Sequence, residues 1–204
     1  MENIGLVWMS AGNSYFSESN IENLLRKASK KFPKCIVMAP DRPASHTYKS
    51  LGYPDSKARR KARLNANLLQ NRARRIVEKL KNEGIKCEFD IVEWIEEVIP
   101  NQRYQTKYQE ILGLFNSNEK FKKDALKTTA NVLKTKFENV PEGAVNEAVH
   151  YLLKELAFVC SSLKIYNANT ITYIYHKDWE IYKKFIEGKY DGVVRPKLKF
   201  MLIA

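Results

Sequence analysis

Ile4-Gly5-Leu6-Val7-Trp8-Met9-Ser10-Ala11-Gly12-Asn13-Ser14-Tyr15-Phe16 runs from an apolar stretch into a small, polar turn that contains a glycine. A short apolar run bounded by turn residues reads as a buried strand. Its turn places the Ser10 hydroxyl at the carboxyl edge of a sheet, where open α/β folds take their ligands.

Working outward, Lys34–Ala39 reads as a second strand, ended by Pro40, and Lys86–Val92 alternates like a third. Thr170–Tyr175 is β-branched and aromatic, and Leu198–Ile203 is the last strand. Helical patterns separate them. Ser19-Asn20-Ile21-Glu22 has capping-box spacing and starts a helix whose apolar face is Ile21, Leu24, Leu25 and Ala28. A long helix spans Lys57 to Asn82 and stops at Gly84. Tyr104–Phe115, Lys120–Lys136 and Glu142–Val159 are further helices, and Asp178 caps a short one that runs through Phe185. Asp41–Pro54 carries Pro, Gly and Ser and reads as a loop. Strands alternating with helices predict one α/β domain over residues 1–204, Rossmann-like, with a mostly parallel sheet flanked by helices.

Composition narrows the class. The chain of 204 residues is 44% hydrophobic and 28% charged, so it can bury a core and remain soluble. It has no apolar run near the ~18 residues that would span a membrane. Glu2 and Asn3 stand where a signal peptide is basic, and the apolar stretch behind them is short. Cys35, Cys87 and Cys160 are odd in number and lack zinc spacing, so they read as reduced core thiols of a cytoplasmic protein.

Charge is concentrated. Net charge is +12, and Lys57–Lys81 carries +9 of it, ten cations against the one acid Glu78. Ala58, Ala62, Ala66, Leu69, Ala73, Ile76 and Leu80 form one apolar stripe on that helix. Arg60, Arg63, Arg74, Arg75, Lys79 and Lys81 lie outside the stripe, which predicts an unbroken cationic face; Arg59, Lys61 and Arg72 complete the basic set. Such a face fits a polyanion. Tyr and Phe do not interleave with these cations, so phosphate contact is favoured over base stacking. His46 and His150 have no carboxylate or cysteine at ligand spacing, so no metal is assigned.

The candidate site residues admit bland readings beside sharp ones. Ser10 is a turn serine, part of an anion-binding loop, or a nucleophile. Gly-x-Gly-x-x-Gly, Gly-Lys-Ser/Thr and Gly-x-Ser-x-Gly are all absent around it. Tyr151 and Glu155 stand four apart and share a helix face. Spacing alone favours a half-buried tyrosine and a surface glutamate beside Lys154. Tyr175-His176 ends a strand on the carboxyl edge of Ser10, as a core aromatic and a polar tip.

A resemblance shifts these readings. Ser10-Ala11-Gly12-Asn13-Ser14-Tyr15-Phe16 resembles the signature of the cyclodipeptide synthases, which join amino acids from two aminoacyl-tRNAs into a diketopiperazine. Tyr151-Leu152-Leu153-Lys154-Glu155-Leu156-Ala157 is similar to the family's Tyr-x-x-x-Glu-x-Pro, with Ala157 in place of the proline. Asn13, Tyr175 and His176 match the Asn–Tyr–His branch.

The resemblance implies the fold of class I tyrosyl- and tryptophanyl-tRNA synthetase catalytic domains, and this chain lacks their ATP motifs His-x-Gly-His and Lys-Met-Ser-Lys-Ser. It implies Ser10 as the nucleophile in a ping-pong sequence, and Tyr151 and Glu155 on the substrate α-ammonium. Tyr175 relays protons, held by Asn13 and His176. Aminoacyl-tRNAs are the partners, on the basic helix; no ATP, metal, membrane or obligate protein partner is implied.

Leu6, Trp8, Met38 and Phe158 are assigned to the first aminoacyl pocket. The family usually has glycine where this chain has Trp8, on the same strand face as Leu6 and Ser10. Either the indole enters the pocket, which then takes a small side chain or is reshaped, or it turns into the core and leaves the pocket ordinary. Two other functions stay open: an RNA-binding protein without chemistry, and an enzyme that transfers from one charged tRNA to another acceptor.

Overall fold

The computed structural model describes residues 3–135, 137–141, 143–193 and 198–203. Five strands form one sheet: β1 (Asn3–Trp8), β2 (Lys34–Met38), β3 (Glu88–Val92), β4 (Thr170–Tyr175) and β5 (Leu198–Leu202). Their order is β3-β2-β1-β4-β5, and every neighbouring pair is parallel. Parallel neighbours need crossovers, and helices supply them. α1 (Glu18–Ser29) joins β1 to β2, and α2 (Ala44–Ser50) with α3 (Asp55–Asn82) joins β2 to β3. The chain then passes a π-helical turn at Trp94–Val98 and α4 (Gln102–Ser117), α5 (Glu119–Leu133) and α6 (Ala144–Ile165). It returns to β4 on the other side of β1, and α7 (Glu180–Ile186) leads to β5.

Winding away from β1 in both directions makes the β1–β4 junction the switch point of the sheet. Leu6 pairs with Tyr173 and Val7 with Ile174, so the two strands finish nearly level. Ile4 and Leu6 to Met9 are all buried, which accounts for an apolar run without alternation. No helix among the described residues is long and apolar enough to cross a membrane.

The stripe of α3 is buried throughout, from Ala58 to Leu80. Its helix ends as a Schellman motif: Gly84 takes φ +83°, Gly84 N–H bonds the Lys81 carbonyl and Ile85 N–H bonds that of Leu80.

Several element ends differ from the sequence reading, each for a local reason. Ser17, not Ser19, caps α1: its hydroxyl accepts the Asn20 N–H. Phe16 and Ile21 are both fully buried at hydrophobic-staple spacing around that cap, and Glu22 pairs with Arg26 and Lys79 instead. The expected loop Asp41–Pro54 contains α2. Pro43 presets its entry, and Ser45 and Ser50 close their hydroxyls onto the carbonyls of Arg42 and Thr47. Such a segment has no apolar period to read.

α6 continues six residues past Val159, with Ser161 and Ser162 bonding back to the Phe158 and Val159 carbonyls. Asp178 does not cap α7; it pairs with Lys183, and Trp179 occupies the cap position. Lys136 and Glu142, expected helix ends, lie outside the described residues.

The alanines let α3 sit close to its neighbours. Ala73→Leu should therefore cost about 1–3 kcal/mol through overpacking, whereas Leu68→Ala, at a position 56% exposed, should stay within ~0.5 kcal/mol. Urea unfolding of both variants tests this; equal losses would show that the stripe does not seat the helix.

Candidate active site

Ser10 stands just past β1, at the switch point. Its turn is closed by Asn13, whose N–H donates to the Ser10 carbonyl (3.1 Å) and whose side-chain oxygen accepts the Tyr15 N–H (3.0 Å). Gly12 takes φ +78°, and a Cβ there would lie 2.9 Å from the Tyr48 hydroxyl. Glycine alone suits both conditions. Tyr175 ends β4, and its hydroxyl lies 2.8 Å from Ser10 Oγ.

His176 stacks flat on Tyr15, ring centroids 3.8 Å apart, with Phe16 edge-on at 5.1 Å and Tyr175 at 4.3 Å. Burial pushes its pKa down to about 4, so the ring is neutral and acts as a wall for Tyr175. Burial raises the Tyr175 phenol, against hydrogen bonding with Ser10 and Asn13. A phenol so held stays protonated at neutral pH, suited to relaying a proton rather than standing as a base.

Tyr151 and Glu155 project from one face of α6, as their spacing predicts, but Glu155 is not a surface residue. It is 8% exposed. Trp8 Nε1 donates to Oε1 at 2.6 Å, and the Tyr182 hydroxyl donates to Oε2 at 3.1 Å. Burial lifts its pKa to about 7, with the hydrogen bonds of Tyr182 and Trp8 and the nearby Tyr151 working against it. A carboxyl group poised there can hold an ammonium group or take a proton from it. The Tyr151 hydroxyl is buried beside Glu155 and Ser10 and makes no hydrogen bond among the described residues.

These groups share one cavity of about 510 Å³, a size suited to a small ligand. Ser10, Asn13, Tyr151, Glu155, Tyr175 and His176 all line it. Sequence reasoning missed other walls: Thr47 and Tyr48 from α2, Val132 and Leu133 from α5, and Trp179 and Tyr182 near α7. Tyr182 sits on a short helix between the buried Ile181 and Phe185, so nothing local marks it as a carboxylate ligand.

The assigned pocket set is corrected. Leu6, Trp8, Met38 and Phe158 are fully buried, and none lines the cavity. Trp8 does share the Ser10 face, yet its ring lies in an aromatic box of Trp94 (6.0 Å), Phe158 (5.7 Å) and Tyr173 (5.7 Å). The π-helical turn, not foreseen, carries Trp94 into this box.

A sequence profile of the cyclodipeptide synthases matches residues 5–204. The chain belongs to the cyclodipeptide synthase family. It is 27% identical to a cyclo(L-leucyl-L-leucyl) synthase of Bacillus subtilis, over 97% of this chain and 81% of that protein. Solved structures share the fold. A cyclodipeptide synthase from Bacillus thermoamylovorans superposes with a TM-score of 0.84 at 23% identity, over 100% of this chain and 89% of that one. A Mycobacterium tuberculosis protein, whose structure is described as relating cyclodipeptide synthetases to type I tRNA synthetases, gives 0.80 at 18%, over 98% and 84%. A cyclodipeptide synthase from Candidatus Glomeribacter gigasporarum, bound to Phe-tRNAPhe, gives 0.69 at 15%, over 99% and 87%.

On this cyclodipeptide synthase fold the cationic face of α3 is broken, contrary to the sequence reading. Acids from other elements meet its second half: Arg74 pairs with Glu93, Arg75 with Glu18 and Lys79 with Glu22. Arg72 donates to the Phe16 carbonyl (3.0 Å) and so braces the segment after Ser10. Arg59 pairs with Asp55. Arg60, Arg63 and Lys81 are exposed and make no ion pair among the described residues. Aromatic rings do join the cations, against expectation. Tyr53 lies under Lys57 (5.5 Å) and Lys61 (5.1 Å), and Tyr48 lies near Lys61 (5.9 Å). These rings follow α3 into place from the preceding segment, which sequence spacing within α3 cannot report.

His46 also gains the carboxylate that its sequence neighbours lack. Its Nδ1 lies 2.8 Å from Glu147, and Lys154 donates to its Nε2 (2.7 Å). These partners assign the Nδ1-protonated neutral tautomer. Burial, then the Lys154 charge, lower the His46 pKa to about 4. The network ties α2, a wall of the cavity, to α6.

His46 is therefore bound neutral in the folded chain and titrates near pH 6.5 when unfolded. The unfolded state takes up the proton first, so this contribution is complete above pH ~6.5 and is lost as pH falls toward 4. Thermal melts across that window should decline more steeply for the wild type than for His46→Gln. Parallel curves would show that His46 does not titrate between the two states.

Proposed function

We propose that this chain draws aminoacyl groups from two aminoacyl-tRNAs and closes them into a cyclic dipeptide, with Ser10 as the acyl carrier. One observation carries the reading: the hydroxyl pair Ser10–Tyr175 and the buried Glu155 carboxyl line the same cavity. Acyl transfer needs a nucleophile with a proton path, and an amino-acid substrate needs a partner for its ammonium group. The name of the Bacillus subtilis relative supports cyclisation, and the family structure bound to Phe-tRNAPhe supports the substrate class. The stacking of His176 and the turn built by Asn13 support the Asn–Tyr–His branch.

In this reading Ser10 Oγ attacks the carbonyl carbon of the first aminoacyl ester. The bond from that carbon to the ribose oxygen breaks, and the serine proton passes to that oxygen with Tyr175 as relay. One ester replaces another, so the chain contributes mainly position. No ATP or metal is required, because the ester arrives activated.

Glu155 and Tyr151 hold the ammonium group. Glu155 then takes the proton that the ammonium group must lose before the amine attacks. The amine attacks the carbonyl carbon of the second aminoacyl ester, the bond from that carbon to its ribose oxygen breaks, and the amine's second proton passes to that oxygen, which leaves a dipeptidyl ester on Ser10. Its free amine attacks the Ser10 ester carbonyl, the bond from that carbon to Oγ breaks, and the amine proton returns to Oγ with Tyr175 as relay, which closes the ring and frees the serine. An RNA-binding role without chemistry leaves the burial of Glu155 without a use, since burying a carboxylate is costly.

Mixing the protein with charged tRNA should give an aminoacyl adduct in the intact mass of wild type but not of Ser10→Ala, and Ser10→Ala should make no cyclic dipeptide. Full product from that variant would overturn the assignment. Linear or transferred products in the wild-type mass spectrum would favour a different acceptor.

The tRNA surface in this reading is the first half of α3, where Arg59 is paired with Asp55 and Arg60 and Arg63 form no ion pair among the described residues. Arg60→Glu with Arg63→Glu should flatten the slope of log binding constant against log salt by roughly 0.7–0.9 per lost phosphate contact. Arg74→Glu with Arg75→Glu should change it less. The reverse ranking would move the surface to the other half of the helix.

A further inference from the structure

Glu155 is the one buried acid of the cavity, and its two oxygens are bonded by side chains from different elements, Trp8 of β1 and Tyr182 of α7. The groups that face it are the phenols of Tyr151, Tyr173, Tyr175 and Tyr182 and the Trp8 indole. Burial holds all four phenols protonated. No cation among the described residues contributes to its titration.

The carboxylate therefore depends for its charge on neutral groups: the Tyr182 phenol and the Trp8 indole, which bond it, and the Tyr151 phenol beside it. Of the two that bond it, the indole is the shorter contact. It is fully buried, and its ring is locked by Trp94, Phe158 and Tyr173. An indole N–H is a donor only and has no competing acceptor role. It cannot turn away from Glu155 without leaving the aromatic box.

We propose that Trp8 is a positioning residue of the reaction, whose indole N–H holds the Glu155 carboxylate in its ionised form and in the orientation that receives the substrate ammonium group. The proposal rests on the reading of Glu155 as the ammonium partner. It gives the indole a use distinct from filling space. A hydrogen bond to an ionised group favours that form, so the bond keeps Glu155 charged at a pH where burial alone would neutralise it.

The sign follows directly. Removing the donor raises the Glu155 pKa above its present value of about 7 and moves the acid limb of the reaction upward. The loss of one charge-assisted bond corresponds to roughly one to two pH units, which at pH 7 is an activity loss of about five- to fiftyfold.

The test uses Trp8→Phe, which keeps an aromatic ring and loses the N–H, and Tyr182→Phe, which removes the other donor with no change of shape. Phe158→Leu disturbs the same box and leaves both donors. Two quantities are measured on the whole protein: the Glu155 carboxyl titration by carbon-13 NMR, with Glu155→Gln to assign the signal, and the pH profile of aminoacyl transfer. Trp8→Phe and Tyr182→Phe should raise both the titration midpoint and the acid limb, and Phe158→Leu should move neither.

An unmoved Glu155 midpoint in Trp8→Phe overturns the inference, as does an equal shift in Phe158→Leu. If Trp8→Phe does not fold, an unmoved midpoint in Tyr182→Phe overturns the shared premise that neutral donors hold the charge. A midpoint that rises while the transfer profile stays in place also overturns the proposal. In that case the bond is real, and it is the reading of Glu155 that fails.

Discussion

A carboxyl group is buried at the end of the sheet with no cation beside it among the described residues, and much of the architecture serves to keep it there. Removing an ion from water costs several kcal/mol unless its lone pairs are met. Glu155 is met by an indole from β1 and a phenol from α7, and α6 supplies Tyr151 alongside. Three elements must therefore converge at one point. The aromatic box of Trp94, Phe158 and Tyr173 fixes the indole, and the π-helical turn exists in the place that brings Trp94 to it. No positive charge among the described residues stands beside the carboxyl group.

Convergence follows from topology. A parallel sheet that winds outward from β1 in both directions leaves the ends of β1 and β4 side by side. Ser10 and Tyr175 meet there because each follows the last residues of its strand. The same winding carries α2 over the cavity, where Tyr48 reaches Gly12 and takes a bond from Asn65 of α3. α2 is held to α6 by the His46–Glu147–Lys154 chain. The wall of the cavity, the Ser10 turn and α3 are thus one connected assembly.

Much of this was legible in the residues. The apolar run from Ile4 to Met9 read as a buried strand, and the stripe from Ala58 to Leu80 gave seven of the nine buried residues of α3, without Gln70 and Val77. The motif resemblance gathered Ser10, Asn13, Tyr151, Glu155, Tyr175 and His176, which the fold brings to one cavity. What failed were inferences about partners. Trp8 was put in a pocket and lies under it. Arg72, Arg74, Arg75 and Lys79 were put on an open face and are held by a carbonyl or by acids of β3's exit and α1. His46 was left without a carboxylate and has Glu147.

Sequence by itself determined which apolar stripes turn inward, the succession of strands and helices that makes a parallel sheet, and the hydroxyl at its carboxyl edge, because periodicity and turn chemistry act over a few neighbouring residues. Only the tertiary structure decided what each inward or polar group touches. Trp8 and Glu155 stand 147 residues apart, Ser10 and Tyr175 stand 165 apart, and Arg75 meets an acid 57 residues away. Local pattern carries no record of such pairs. They are set by the crossovers that order the strands, and a buried carboxyl or a surface arginine takes its properties from whatever those crossovers bring beside it.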